Sequence, residues 1–217
     1  MDDQLPPDSK LTRSKWRWAS EQKFLTGREG RAEDDRLPPG QHLTDGWPIL
    51  DLGEQPDIPL DRWRLEVGGL VETPLTLDWT AFIALPQSAV RSDIHCVTTW
   101  SRYDNHWNGV LTRDLLDVAM PRDEAAFVML HSADGYTTNV PLADFAAADA
   151  MLVHSWDGKP LARAHGGPVR LVIPHLYFWK SAKWIDGIEI RAVDAPGFWE
   201  RNGYHMRGDP WTEQRYG

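Results

Sequence analysis

The chain has a single cysteine, Cys96, in the stretch Asp93-Ile94-His95-Cys96-Val97-Thr98-Thr99-Trp100-Ser101. A thiolate at this point, where an apolar run gives way to a polar one, can act as a nucleophile or as a ligand for a soft metal. A lone cysteine is also a small buried hydrophobe, and its type alone does not choose between these readings. A second cluster is His165-Gly166-Gly167-Pro168-Val169-Arg170. Its paired glycines let backbone approach a ligand closely, and Arg170 can grip a phosphate with two parallel N–H donors; a plain loop entering a strand would read the same way. The third, Trp179-Lys180-Ser181-Ala182-Lys183-Trp184, sets two cations and a hydroxyl between tryptophans, which suits an anion beside an aromatic ring or two solvated lysines. The fourth, from Gly197 to His205, offers Tyr204 and His205 as acid–base groups, or a loop anchored by Phe198 and Trp199.

These groups need elements to position them. Alternation over 62–67 puts Trp63, Leu65 and Val67 on one side, which predicts a half-buried strand. Residues 78–85 predict a short helix stopping before Pro86, and 89–97 a strand leading into a polar, aromatic loop over 98–109. Thr112 is expected to cap a helix through Met120, with Pro121 ending it. Further strands are predicted over 126–131, 136–140, 151–155, 169–173 and 184–191, and an extended, wrapping tail from Pro196. Many short strands and few helices, without strict βαβ alternation, make this an α+β domain with mixed or antiparallel sheets.

Residues 1–40 are charged and punctuated by Pro6-Pro7 and Pro38-Pro39; they read as a partly ordered polar arm, with Trp16, Trp18 and Phe24 pinning it locally, ahead of a domain over 41–217. The length of 217 residues suffices for one such domain. A net charge of −9 argues against a general nucleic-acid binder while leaving room for a local cationic pocket. No run approaches the about 18 apolar residues of a membrane span. Met1-Asp2-Asp3 starts neither a signal sequence nor a twin-arginine leader, so a cytoplasmic location is expected. One cysteine excludes an intrachain disulfide and any zinc site built on paired cysteines. A glycine-rich dinucleotide fingerprint, a P-loop, an H-E-x-x-H helix and a G-x-S-x-G elbow are all missing.

Three of these segments, in this order, resemble the molybdopterin-binding domain of sulfite oxidase: Cys96 near a strand end, H-G-x-P-V-R at 165–170 and K-S-A-K-W at 180–184. The phrase Cys96-Val97-Thr98-Thr99-Trp100-Ser101 is similar to the bacterial branch that includes the periplasmic methionine-sulfoxide reductase catalytic subunit. The style of D-I-H-C-V-T-x-W-S, L-Y-x-W-K-S-A-K-W and G-F-W-E-x-x-G-Y-H is closest to short cytosolic bacterial sulfite oxidase-like oxidoreductases. The resemblance runs from about residue 40 to the end and implies the mixed-sheet sulfite oxidase-like fold and a molybdenum–molybdopterin cofactor.

By this resemblance Cys96 is the protein thiolate on molybdenum. His165 and Arg170 hold the pterin and its phosphate, and Ser181, Ala182 and Lys183 close over them. Ser132 places a hydroxyl near the cofactor, Asp45 and Trp47 supply a further pterin contact, and Tyr204 is the active-site tyrosine of a W-x-x-x-x-Y pattern begun by Trp199. Sulfite oxidases carry an Arg-x-His pair where this chain reads Thr44-Asp45-Gly46, and paired arginines after the cysteine where it keeps only Arg102. The expected reaction is therefore two-electron oxygen-atom transfer on a small sulfur or nitrogen oxide, with electrons exchanged with an unidentified carrier and sulfite oxidation as the alternative. Two other classes stay open on the residues alone: a metal-free Cys–His nucleophilic enzyme, and a binding module using the 12 tryptophans.

Overall fold

The computed structural model describes residues 36–53 and 55–217. Most of the expected arm, with Trp16, Trp18 and Phe24, lies outside the described residues. In chain order the elements are β1 (His42–Leu43), β2 (Arg64–Gly69), β3 (Leu75–Asp78), α1 (Trp79–Ala84), β4 (Ser88–His95), β5 (Trp100–Leu111), α2 (Thr112–Ala119), β6 (Phe127–Ser132), β7 (Thr137–Pro141), α3 (Leu142–Phe145), β8 (Met151–Trp156), β9 (Lys159–Pro160), β10 (Arg170–Val172), β11 (Ile185–Arg191) and α4 (Phe198–Arg201).

They build two sheets. One has the order β3-β2-β11-β6-β7; the other runs β1-β5-β8-β10, with β4 also on β5 and β9 on β8. The β1–β5 and β2–β11 pairs are parallel and the rest antiparallel, so both sheets are mixed, as an α+β domain requires. The predicted strand side holds: Trp63, Leu65 and Val67 are all buried, in the core that also takes Phe82, Leu115 and Leu116. Asp78 caps α1 by accepting from the Ala81 N–H at 2.8 Å, and the helix stops ahead of Pro86 as expected. A second, aromatic-rich core gathers Ile94, Cys96, Trp100, Trp107, Met151 and Val153, with Trp47, Trp156 and Phe178 packed on it.

Two local expectations are corrected. The polar stretch 98–109 is no loop but most of β5, a 12-residue strand paired with β4 on one side and β8 on the other. Its polar groups are met by side chains: Asp93 accepts from the Asp104 N–H at 3.0 Å, and Asn105 donates to the Ser92 carbonyl at 3.2 Å. Gly109 belongs to the strand because a Cβ there would lie 2.0 Å from the Leu152 carbonyl oxygen. Thr112 is the first helical residue rather than the cap, and its buried hydroxyl donates to the carbonyls of Phe145 and Ala150.

The tail wraps as predicted. It makes α4, a 3-10 turn at Pro210–Thr212 and an antiparallel bridge between Tyr204 and Tyr216. Among the described residues no helix is long and apolar enough to cross a membrane.

Candidate active site

Cys96 follows the last residue of β4 and opens a tight turn. Its N–H donates to the Trp100 carbonyl at 2.8 Å, its own carbonyl accepts from Thr99 at 3.0 Å, and Thr99 takes a left-handed φ of 77°. This short return into β5 turns the cysteine out of the sheet and into a cavity of about 370 Å³. The thiol is 5% exposed and shares a hydrogen bond with the Thr98 hydroxyl at 3.1 Å. Burial pushes it above its ordinary pKa, while the Thr98 hydrogen bond and the positive charge of Arg215 act in the opposite sense.

The same cavity is lined by Trp47, His165, Arg170, Ser181, Ala182, Lys183 and Tyr204. Arg170 begins β10 and is 2% exposed, yet its guanidinium donates only to carbonyls: His165 at 2.8 Å, Ser181 at 2.6 Å and Leu171 at 3.3 Å. It lies over the Phe178 ring at 4.2 Å. Burial pushes its pKa down to about 9, still above neutrality, so the site holds a cation with no carboxylate against it among the described residues. Lys183 donates to the Ala164 carbonyl at 3.2 Å and stands 3.7 Å from Asp51. Burial and the neighbouring charge of Arg170 bring it to about 8. His165 stacks on Trp47 with centroids 3.9 Å apart and donates from Nε2 to the Trp47 carbonyl at 3.2 Å; burial lowers its pKa, so the ring is neutral.

Gly166 makes this cluster possible. Its φ is 102°, and a Cβ would come within 2.9–3.0 Å of Lys183 atoms, so only glycine lets the His165 loop lie against residues 181–183. Ser181 faces inward for the backbone, its hydroxyl accepting from the Ile173 N–H at 3.0 Å. Tyr204 stacks on Trp199 at 5.0 Å and meets Trp179 edge-on at 5.1 Å. Burial raises its pKa, so the phenol is protonated at neutral pH.

Two expected residues stand outside the lining. Asp45 is exposed, and only its backbone carbonyl is engaged, by Arg102 at 3.3 Å. Ser132 is buried at the end of β6, its hydroxyl without a partner among the described residues, at the foot of the turn whose Asp134 and Tyr136 do line the cavity. His205, paired with Tyr204 on sequence grounds, is outside too: its Nδ1 accepts from the backbone N–H groups of Arg207 and Gly208. The sequence also left unselected Trp100, whose buried indole N–H at the cavity wall has no partner among the described residues, and the segment of Pro48, Ile49, Leu50, Asp51 and Leu52. Trp100 stood inside the cysteine motif, so its signal was present; the segment has no sequence signature. Neither Arg102, held by Asn105 and Asp157, nor exposed Arg201 lines the cavity.

The cavity thus joins two kinds of wall. Segments 164–170 and 181–184 bring neutral imidazole and two cations, while 96–100, 178–179 and 199–204 bring the thiol among aromatic rings.

Residues 52–199 match the family described as the oxidoreductase molybdopterin binding domain. The oxidoreductase YuiH of Bacillus subtilis, described as uncharacterized, is 48% identical over 185 residues, which cover 85% of this chain and 93% of that protein. The protein-methionine-sulfoxide reductase catalytic subunit MsrP of Campylobacter jejuni is 29% identical over 162 residues, 64% of this chain and 52% of MsrP. In fold the chain is similar to a chain of the sulfane dehydrogenase SoxCD from Paracoccus pantotrophus, with a TM-score of 0.61 at 20% identity, over 73% of this chain and 46% of that one. The chain therefore spans nearly all of the Bacillus protein but about half of the other two.

Proposed function

This chain belongs to the oxidoreductase molybdopterin-binding domain family, and we propose that Cys96 is its molybdenum ligand in a reaction that reduces a small, neutral sulfur or nitrogen oxide. It is a molybdenum-cofactor-dependent oxidoreductase of the sulfite oxidase-like kind. The residues present suit the group. A thiol is a soft ligand; among the described residues Arg170 is a buried cation lacking a carboxylate, and the Trp100 N–H and Ser132 hydroxyl are buried polar atoms without partners.

In this reading the cofactor supplies two-electron redox chemistry at molybdenum. Arg170 and Lys183 would hold the pterin phosphate, and Trp47, His165, Ser181 and Ala182 would hold the pterin. The aromatic wall of Trp100, Phe178, Trp179 and Trp199 excludes water and favours an uncharged substrate. Tyr204, protonated at neutral pH, donates a hydrogen bond to the oxide oxygen and a proton as that oxygen departs. Two electrons and two protons convert an S-oxide to a thioether and water, the electrons coming from a separate carrier. The observation that carries the reading is one cavity holding both the Cys96 thiol and the uncompensated Arg170.

Sulfite is the alternative substrate. A dianion needs fixed cations to offset its desolvation, and those in the lining belong to the segments assigned to the pterin phosphate. The metal-free nucleophile reading lacks its base: the hydrogen bond described at Cys96 Sγ is to Thr98, not to a histidine. A tryptophan-rich docking module is disfavoured because Trp63, Trp107 and Trp184 are fully buried.

Protein from a molybdate-supplied host is expected to carry about one molybdenum per chain, and Cys96→Ser to abolish turnover, since a hydroxyl is a poor soft-metal ligand. Full activity in that variant sinks the assignment. With artificial electron donors and acceptors, kcat/KM for dimethyl sulfoxide, methionine sulfoxide or trimethylamine N-oxide should exceed that for sulfite; the reverse order overturns the substrate class.

A further inference from the structure

The turn that carries Cys96 is held from outside by two side chains. Gln41 Nε2 donates to the Cys96 carbonyl at 3.0 Å, and Arg215 Nη1 donates to the next carbonyl, that of Val97, at 2.6 Å. Both come from beyond the family-matched stretch 52–199, one from each flank. Gln41 is nearly buried and is itself held, its Oε1 accepting from the Ser101 hydroxyl at 3.3 Å.

Arg215 is fixed by its backbone. The Tyr204–Tyr216 bridge pins the last residues to the segment that bears Tyr204, with the His205 N–H donating to the Arg215 carbonyl and the Gly217 N–H to that of Gly203, each at 3.2 Å. Its guanidinium passes over the Tyr177 ring at 5.1 Å and reaches the carbonyls of Val97 and Pro39. Among the described residues no carboxylate pairs with it at ion-pair distance. An arginine held over a ring and onto carbonyls, with its charge unneutralised, is poorly explained as a surface ion pair. What it stands beside is the cysteine turn, whose Val97 carbonyl it grips.

We propose that Arg215 is a positioning residue for Cys96, fixing the direction of the ligand-bearing turn through the Val97 carbonyl. Gln41 is the neutral half of the same clasp. The inference rests on the reading of Cys96 as the molybdenum ligand. It also couples the metal ligand to Tyr204, because one strand end secures both. Groups that orient a metal ligand are worth as much as many ligands, since they fix its direction and its basicity.

The test uses full-length, molybdenum-loaded protein and two readouts besides turnover: the rate of metal loss to a chelator, and the position of the thiolate-to-metal charge-transfer absorption. Arg215→Gln should lose metal about tenfold faster and shift the absorption. Arg215→Lys, which keeps the charge on a half-exposed side chain and should fold in any case, should restore the absorption and lose metal at an intermediate rate. Gln41→Ala should speed the loss without moving the absorption. Wild-type loss rates and absorption in both Arg215 variants, or in Arg215→Lys alone should Arg215→Gln not fold, overturn the proposal. An equal absorption shift in Gln41→Ala overturns the assignment of the turn's direction to Arg215. A metal-loaded wild type without any thiolate absorption removes the Cys96 reading beneath it instead.

Discussion

Two buried cations ten positions apart in the chain have opposite surroundings. Lys180 has a fully buried side chain, and its ammonium is saturated: Glu200 at 2.6 Å, the Met206 carbonyl at 2.7 Å, and the Asn139 carbonyl and side-chain oxygen at 2.8 and 3.0 Å. Glu200 in turn accepts from Thr138 and Trp179, each at 2.9 Å. Arg170 is almost as buried but among the described residues meets only carbonyl dipoles and ring faces, and it opens on the cavity. A buried charge is costly unless something compensates it. Lys180 is compensated within the fold and ties the tail carrying Tyr204 to β7. Arg170 is left for an anion to complete. A cation with its carboxylate present marks structure, and one without it marks a site.

The sharpest way to break this contrast is to neutralise each cation and ask what is lost. Lys180→Met leaves Glu200 buried with one oxygen already unpartnered, so a loss of about 3–5 kcal/mol in unfolding free energy is expected. Chemical denaturation measures it; a loss under about 1 kcal/mol would make Lys180 a spectator. Arg170→Met should act the other way round. Cavity water can take over its carbonyls, so stability should fall by only about 1 kcal/mol, while pterin binding weakens by about 1.5–3 kcal/mol with the charge-assisted contact gone. Pterin released on denaturing the purified variant, set against its melting curve, separates the two effects. If the fold suffers more than the cofactor, Arg170 belongs with Lys180.

The smallest expected effect belongs to Lys183, which shares the cationic wall. Its pKa is held at about 8 in the folded chain against an ordinary 10.5. Between those values the unfolded chain binds more protons, so the cofactor-free protein should gain stability as pH rises through that window. Lys183→Met should flatten this segment of the profile. A wild-type profile that is flat or falling from pH 8 to 10.5 contradicts the burial that lowers this ammonium's pKa.

Motif residues with local causes were readable in advance. The alternation of Trp63, Leu65 and Val67 and the helix that stops ahead of Pro86 each follow from neighbours in sequence. Polar satisfaction at a distance was not readable. Residues 98–109 look like a loop because their partners, Asp93, Ser92 and the strands on either side, are invisible in the stretch itself. Thr112 looks like a cap because helix-capping residues and buried hydroxyls share a residue type.

For the site, the sequence by itself determined which residue types meet. One cysteine, the H-G-x-P-V-R turn and the S-A-K run sit on separate segments whose spacing carries the family pattern, and all three line one cavity. Only the tertiary structure decided which charges face that cavity. Lys180 and Lys183 are three residues apart and alike in sequence, yet one is consumed by Glu200 from α4 while the other faces the cavity. Arg102, beside the cysteine motif, turns away to Asp157, and Arg215, which no motif marks, arrives at Val97 from the far end of the chain. Charge compensation depends on distance in space, which falls off within a few ångströms, and sequence separation carries almost none of that information.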